Sequence, residues 1–186
     1  MRKKWSLIIM LFLNTSLYAQ REGEYYLGIM GGYEKNGYLL DIHLEYNNYS
    51  DGIFKIGAMF QPEEYKFLEK KIPVKLYLGQ LNYSQKLISL DYEDKYVFRY
   101  GGGLTIGWED VNSGKKYISS GYELTQKSKI LYGINAGVEF ESYLFNFGHM
   151  TSEVFLTLQI NYNYFFNSDI GSRQPTFKTG FKFNIF

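Results

Sequence analysis

"TGFKFNIF" occupies Thr179 to Phe186, the last eight residues of a 186-residue sequence. Phe181, Phe183 and Ile185 alternate there with Lys182 and Asn184. Successive side chains of a strand point to opposite faces, so the stretch predicts a strand with one apolar and one polar surface. Lys178, Gly180 two residues on, then Phe183 and Ile185 make a spacing similar to the signal by which bacterial outer-membrane barrels are recognised for insertion. The chain is therefore expected to end on a closing strand that pairs with the first one.

Upstream, the same alternation recurs in segments of about ten residues separated by turn-like clusters. Eight can be drawn, near 24–33, 37–46, 52–61, 71–83, 95–108, 128–143, 150–165 and 175–186. Tyr (19), Phe (15) and Gly (19) are heavily used against three prolines, a composition that favours strands with bends over helices. Sorted by parity, one face carries Leu40, Ile42 and Leu44, Phe54 and Ile56, Leu104 and Ile106, Ile134 and Val138, Leu158 and Ile160. The other carries Asp41, His43, Glu45, Lys55, Lys75, Arg99, Glu139, Glu141, Glu153, Gln159, Asn161, Lys178 and Lys182, with acids and bases near balance.

Alternation alone does not say which face is inside. A soluble lipocalin-like barrel turns its apolar face inward, and a membrane barrel inverts this. Inversion is favoured by long strands of even number and by aromatics gathered near strand ends: Tyr25, Tyr26, Tyr46, Trp108, Tyr143, Tyr162, Tyr164 and Phe165. The N-terminus adds export. Arg2, Lys3 and Lys4 precede an apolar stretch from Trp5 to Leu13, and Ala19 offers a cleavage site, so residues 1–19 read as a signal peptide and 20–186 as the mature domain. The expected fold is an all-β, eight-stranded, antiparallel up-and-down transmembrane β-barrel in the outer membrane of a Gram-negative bacterium, embedded in outer-membrane lipid. That polar face then becomes a lumenal charge network that fills so narrow a barrel and leaves no channel for DNA or protein.

Other chemistries find little support. Three of the 20 Lys and Arg leave with the signal, so 17 face 19 Asp and Glu, and direct nucleic-acid binding is not expected. The absence of cysteine removes disulfides and thiolate metal sites. Only His43 and His149 offer imidazole bases, no Gly-x-Ser-x-Gly stretch occurs, and the chain is not expected to be an enzyme or to hold a cofactor. His43 between Asp41 and Glu45 has the makings of a metal site, but a hydrogen-bonded lumenal cluster is the expected reading. "YGGGLTIG" (100–107) lacks the Gly-Lys-Ser/Thr ending of a phosphate loop and reads as strand glycines relieving curvature.

An even strand count places both termini in the periplasm. The outer connections are then 61–71, 109–127 and 165–174, and 84–94 is a long periplasmic one. The third outer loop, 109–127, carries Lys115, Lys116, Tyr117 and Tyr122, a mixed aromatic and charged surface of the kind that contacts proteins.

The chain also resembles a family, the TraO proteins of conjugative transposons. The likeness lies in "IPVKLYLGQLNYSQKL" (72–87), "GGLTIGWEDVNSGKKYI" (102–118), "ILYGINAGVEFESYL" (130–144) and the ending "GFKFNIF". It differs in the penultimate strand, where Gln159, Asn161 and Asn163 stand in place of a charged cluster. The resemblance implies an outer-membrane component of a conjugative, type IV secretion-like transfer apparatus, with other apparatus proteins as partners and no catalytic residues to carry over. A small OmpX-like barrel serving adhesion or envelope integrity is the alternative.

Overall fold

The structure is a computed structural model describing residues 23–35, 37–48, 51–67, 70–92, 94–115, 117, 123, 128–146, 153–168 and 172–185. The expected signal peptide and its cleavage site at Ala19 lie outside these residues, as do His149, Lys116 and Tyr122. Eight strands run in order: β1 Tyr25–Glu34, β2 Gly37–Asn47, β3 Gly52–Phe67, β4 Lys70–Ser89, β5 Tyr96–Val111, β6 Lys129–Asn146, β7 Glu153–Phe165 and β8 Arg173–Asn184. Each pairs antiparallel with its sequence neighbour, and β8 returns to β1 from Tyr26↔Asn184 to Glu34↔Thr176. The sheet is a closed up-and-down barrel without a free edge along this seam. Among the described residues no helix is long and apolar enough to cross a membrane.

Two connections differ from the sequence reading. The stretch 61–71 is mostly strand, because β3 runs on to Phe67 and β4 begins at Lys70, with Glu64↔Pro73 to Phe67↔Lys70 continuing the ladder past the end of β2. Likewise, β4 extends to Ser89 and shortens the connection expected at 84–94, where Asp91 Oδ1 accepts the Lys95 amide at 2.8 Å and closes the turn.

The faces are inverted relative to a soluble barrel. Outward Ile56 and Leu104 are 62% and 63% exposed, whereas inward Lys178 is 2% exposed. An apolar exterior around a polar, fully covered interior is stable only where the surroundings are hydrocarbon. Aromatic pairs in cross-strand register edge this exterior: Tyr25 with Tyr46 (5.0 Å between ring centres), Phe54 with Tyr83 (4.9 Å) and Phe98 with Phe140 (4.8 Å) near the termini. Phe60 with Tyr77 (5.1 Å) belongs to the opposite belt, towards the loop end. Tyr26 and Phe165, expected in these girdles, point into the barrel and are buried.

The interior itself is layered. The half nearest the termini is charged, the middle carries amides and hydroxyls, and the loop end holds an apolar cluster of Leu39, Met59, Ile72, Val74, Leu76, Leu78, Val111, Leu131 and Phe165. That cluster corrects the expectation of a polar lumen throughout. It also corrects Lys75: on β4 the even-numbered residues face inward, so Lys75 stands on the outer wall, in register with Asp110 of β5.

Candidate functional site

The buried ion-pair network is built from alternate residues of five strands. From β2, Asp41, His43 and Glu45 project inward, and His43 lies between them, Nδ1 at 2.8 Å from Asp41 and Nε2 at 3.1 Å from Glu45. A carboxylate only accepts hydrogen bonds, so both ring nitrogens donate and the ring is the imidazolium. Lys55 of β3 reaches both oxygens of Glu139 (2.6 and 2.7 Å) and Glu45 (2.6 Å). Lys182 of β8 pairs with Glu141 and with Glu45 at 3.1 Å, Arg99 of β5 approaches Glu141 at 3.3 Å, and Lys178 pairs with Asp41. Five cations thus interleave with four carboxylates, the condition for holding charge in a dry interior.

The space for this arrangement is made by two glycines. A Cβ on Gly28 of β1 would stand 2.1 Å from His43 Nε2, and one on Gly57 of β3 would stand 2.6 Å from the His43 Cβ. Both neighbours must therefore be glycine for the ring to fit between the walls. Above this level, Gln80 donates to Asn163 Oδ1 (3.2 Å), and Asn135 donates to Asn82 Oδ1 (2.8 Å) and Thr105 Oγ1 (3.0 Å), which joins the ion pairs to the apolar cluster. Cavities of about 20, 20 and 10 Å³ lie between the described side chains here, each with room for single waters.

One group of side chains has the shape of a metal centre, the carboxylates of Glu45, Glu139 and Glu141. Lys55, Lys182 and Arg99 already occupy the positions from which a metal would be bound, so the residues do not fit an added cation.

The remaining sequence-predicted residues scatter. Glu153 has inward parity at the start of β7, apart from the main network. In the closing strand, Lys178 and Gly180 face the lumen while Phe183 and Ile185 share the outer parity. A Cβ on Gly180 would stand 2.1 Å from the carbonyl oxygen of Ile29, so the glycine also lets β8 approach β1 at the seam. Lys115 and Tyr117 are exposed near the start of the long connection. That connection opens with Asn112 and Ser113 in the left-handed region (φ 52° and 51°), where the Asn112 amide donates to the carbonyls of Lys115 (3.0 Å) and Tyr117 (3.1 Å).

Sequence reading missed Lys86, which ties both neighbouring turns through Asp51 (3.0 Å) and Asp94 (2.9 Å). It also missed the buried polar group at the loop end, Gln61, Glu63 and Gln174 with Glu34 and Glu109 nearby. The signal available was their parity: Gln61 and Glu63 continue the inward-facing series of Lys55 and Met59 along β3.

Comparison with known proteins agrees with this geometry. Residues 22–185 match the family of conjugative transposon protein TraO, and the chain belongs to that family. Among solved structures, the N-terminal β-barrel domain of Pseudomonas aeruginosa OprF is similar at 13% identity and a TM-score of 0.56, over 89% of this chain and 100% of that one. Neisserial surface protein A is similar at 15% identity and a TM-score of 0.57, over 89% and 98%. These likenesses are of fold. No curated protein matches the chain in sequence.

Proposed function

We propose that this TraO-family barrel is exported, loses residues 1–19, and sits in the outer membrane of a Gram-negative bacterium with its termini in the periplasm. There it serves the conjugal transfer apparatus as an anchor, assembly or contact subunit and not as the DNA channel. The observation that carries the second half is the filled lumen: ion pairs block one half and an apolar cluster the other, and the cavities between are water-sized. Neither strand of DNA nor a folded protein passes such an interior. Catalysis is not assigned, since both nitrogens of His43 are held by carboxylates and unavailable as a base.

Contacts with other apparatus proteins are assigned to the third outer loop, where Lys115, Lys116, Tyr117 and Tyr122 offer charge and aromatic surface. Deleting the gene from a donor strain should lower conjugation without slowing growth. A barrel lacking Asn112 to Gln126 should insert normally and restore transfer poorly. Undiminished transfer from the deleted donor would overturn the assignment to the apparatus. Full rescue by the loopless barrel would instead move the contact to the periplasmic end, where Lys86 organises two turns.

A further inference from the structure

Glu63 is set apart from every carboxylate of the network. It is 3% exposed, yet its hydrogen-bond partners are neutral: Gln61 and Tyr65 from its own strand and Gln174 of β8, which reaches Glu63 Oε1 across the lumen at 3.4 Å. Both amides donate through nitrogen to the same oxygen, Oε1. Their own carbonyl oxygens, each one amide width away, receive no donor, and neither does Glu63 Oε2. Gln61 is 0% and Gln174 2% exposed, so bulk water does not serve these oxygens. The carboxylates of Glu34 and Glu109 lie close enough to act electrostatically on Glu63. Three buried oxygens without donors lie at this level of the lumen, beside further carboxylates and above an apolar floor. Buried negative charge in such surroundings is held by a counter-ion or by a proton.

We propose that this loop-end site binds a hard divalent cation of the calcium class, through the Glu63 carboxylate and the side-chain oxygens of Gln61 and Gln174 once their amide groups turn over. Only oxygen ligands are offered, mixed between carboxylate and amide, on side chains long enough to adjust. Calcium accepts six to eight such ligands in flexible geometry, whereas magnesium demands a near-octahedral cage. The site differs from the Glu45, Glu139 and Glu141 group, where side-chain cations already fill the centre. Calcium here would fasten β3 to β8 across the mouth of the barrel.

The test uses the refolded full barrel in detergent. The midpoint of heat-induced loss of the compact SDS-gel band is measured in EDTA and in millimolar calcium chloride, and terbium luminescence is excited through tyrosine, with Tyr65 the adjacent sensitiser. In the unaltered protein, calcium should raise the midpoint by several degrees and quench bound terbium by competition. Glu63→Gln should abolish both responses and Gln174→Leu should weaken affinity by about tenfold or more. Glu64→Gln, on the exposed face one residue away, should change neither. The proposal is overturned if calcium leaves the midpoint of the unaltered barrel where it was. It is equally overturned if Glu63→Gln, or Gln174→Leu should the former not fold, responds like the original. A Glu63→Gln barrel that is more stable in EDTA and indifferent to calcium, made from an original also indifferent to it, would show that a proton and not a metal neutralises Glu63.

Discussion

Replacing Lys55 with Met separates the electrostatic role of the lumen from its packing role. Lys55 Nζ meets both oxygens of Glu139 and one of Glu45, and among the described residues it is the only cation in direct ion-pair contact with Glu139. Met fills much of the lysine stem's volume, so the chief loss is charge. Glu45 keeps Lys182 at 3.1 Å and His43 at 3.1 Å, but Glu139 is left as a buried, uncompensated carboxylate. Stranding one partner of a buried pair costs about 3–5 kcal/mol, roughly two to four powers of ten in the folding equilibrium. Lys55→Met with Glu139→Gln removes the stranded charge as well, so the double variant should lie within about 2 kcal/mol of the original, a coupling well above that of independent sites. Urea unfolding in detergent, followed by the emission of the outward-facing Trp108, measures all three proteins. A single variant within about 1 kcal/mol of the original would mean that Glu139 is solvated. A double variant as weak as the single would mean that the lysine acts by filling space.

Gly28→Ala should destabilise the barrel by about 1–3 kcal/mol, because its methyl group would overlap His43, whereas Gly31→Ala, with nothing within 4 Å of the new carbon, should be near neutral in the same assay. The closed sheet should resist SDS until boiled and then change gel mobility, and identical migration before and after would contradict barrel closure. Removing Phe181 to Phe186, or replacing Gly180, Phe183 and Ile185 together, should leave the chain undelivered to the outer membrane and exposed to periplasmic degradation, and normal outer-membrane levels would reject the insertion-signal reading.

Strand number, order and outer face were legible because the lipid-facing side chains carry no charge from Tyr38 to Tyr46 on β2, Tyr96 to Trp108 on β5 and Ile130 to Phe140 on β6, and period-2 alternation is unambiguous when one face is uniform. The charges of the network were legible for the same reason, from Asp41 to Lys182. Lys75 was not. In "IPVKLYLG" both parities are largely apolar, since Ile72, Val74, Leu76 and Leu78 build the loop-end cluster while Tyr77 faces outward, so a lone lysine gave the wrong cue. The pairing of Lys55 with Glu139 and the meeting of Glu63 with Gln174 depend on strand stagger around a closed barrel. Stagger is set by the ladder registers, which a single strand's pattern does not carry.

The walls of this barrel are unequal in height, and that has a consequence for the bilayer. On β1 and β2 the outward tyrosines that bound the apolar band, Tyr25 to Tyr33 and Tyr38 to Tyr46, are eight positions apart, which at the usual rise and tilt is about 20 Å. Tyr77 of β4 is thirteen positions from Leu90, just past the strand's last residue, and exposed Leu87, Ile88 and Leu90 carry the apolar surface below the Tyr83 belt. Two strands along the same wall, Leu144 and Phe145 of β6 are similarly exposed. A flat hydrocarbon slab cannot match both sides at once. Hydrophobic mismatch costs fractions of a kcal/mol per ångström, so the barrel axis should lean until the tall β4–β6 side is immersed, or the membrane should pinch against β1 and β2. Either outcome gives the protein a preferred side in the plane of the membrane, a direction along which neighbouring proteins or thin lipid patches are drawn.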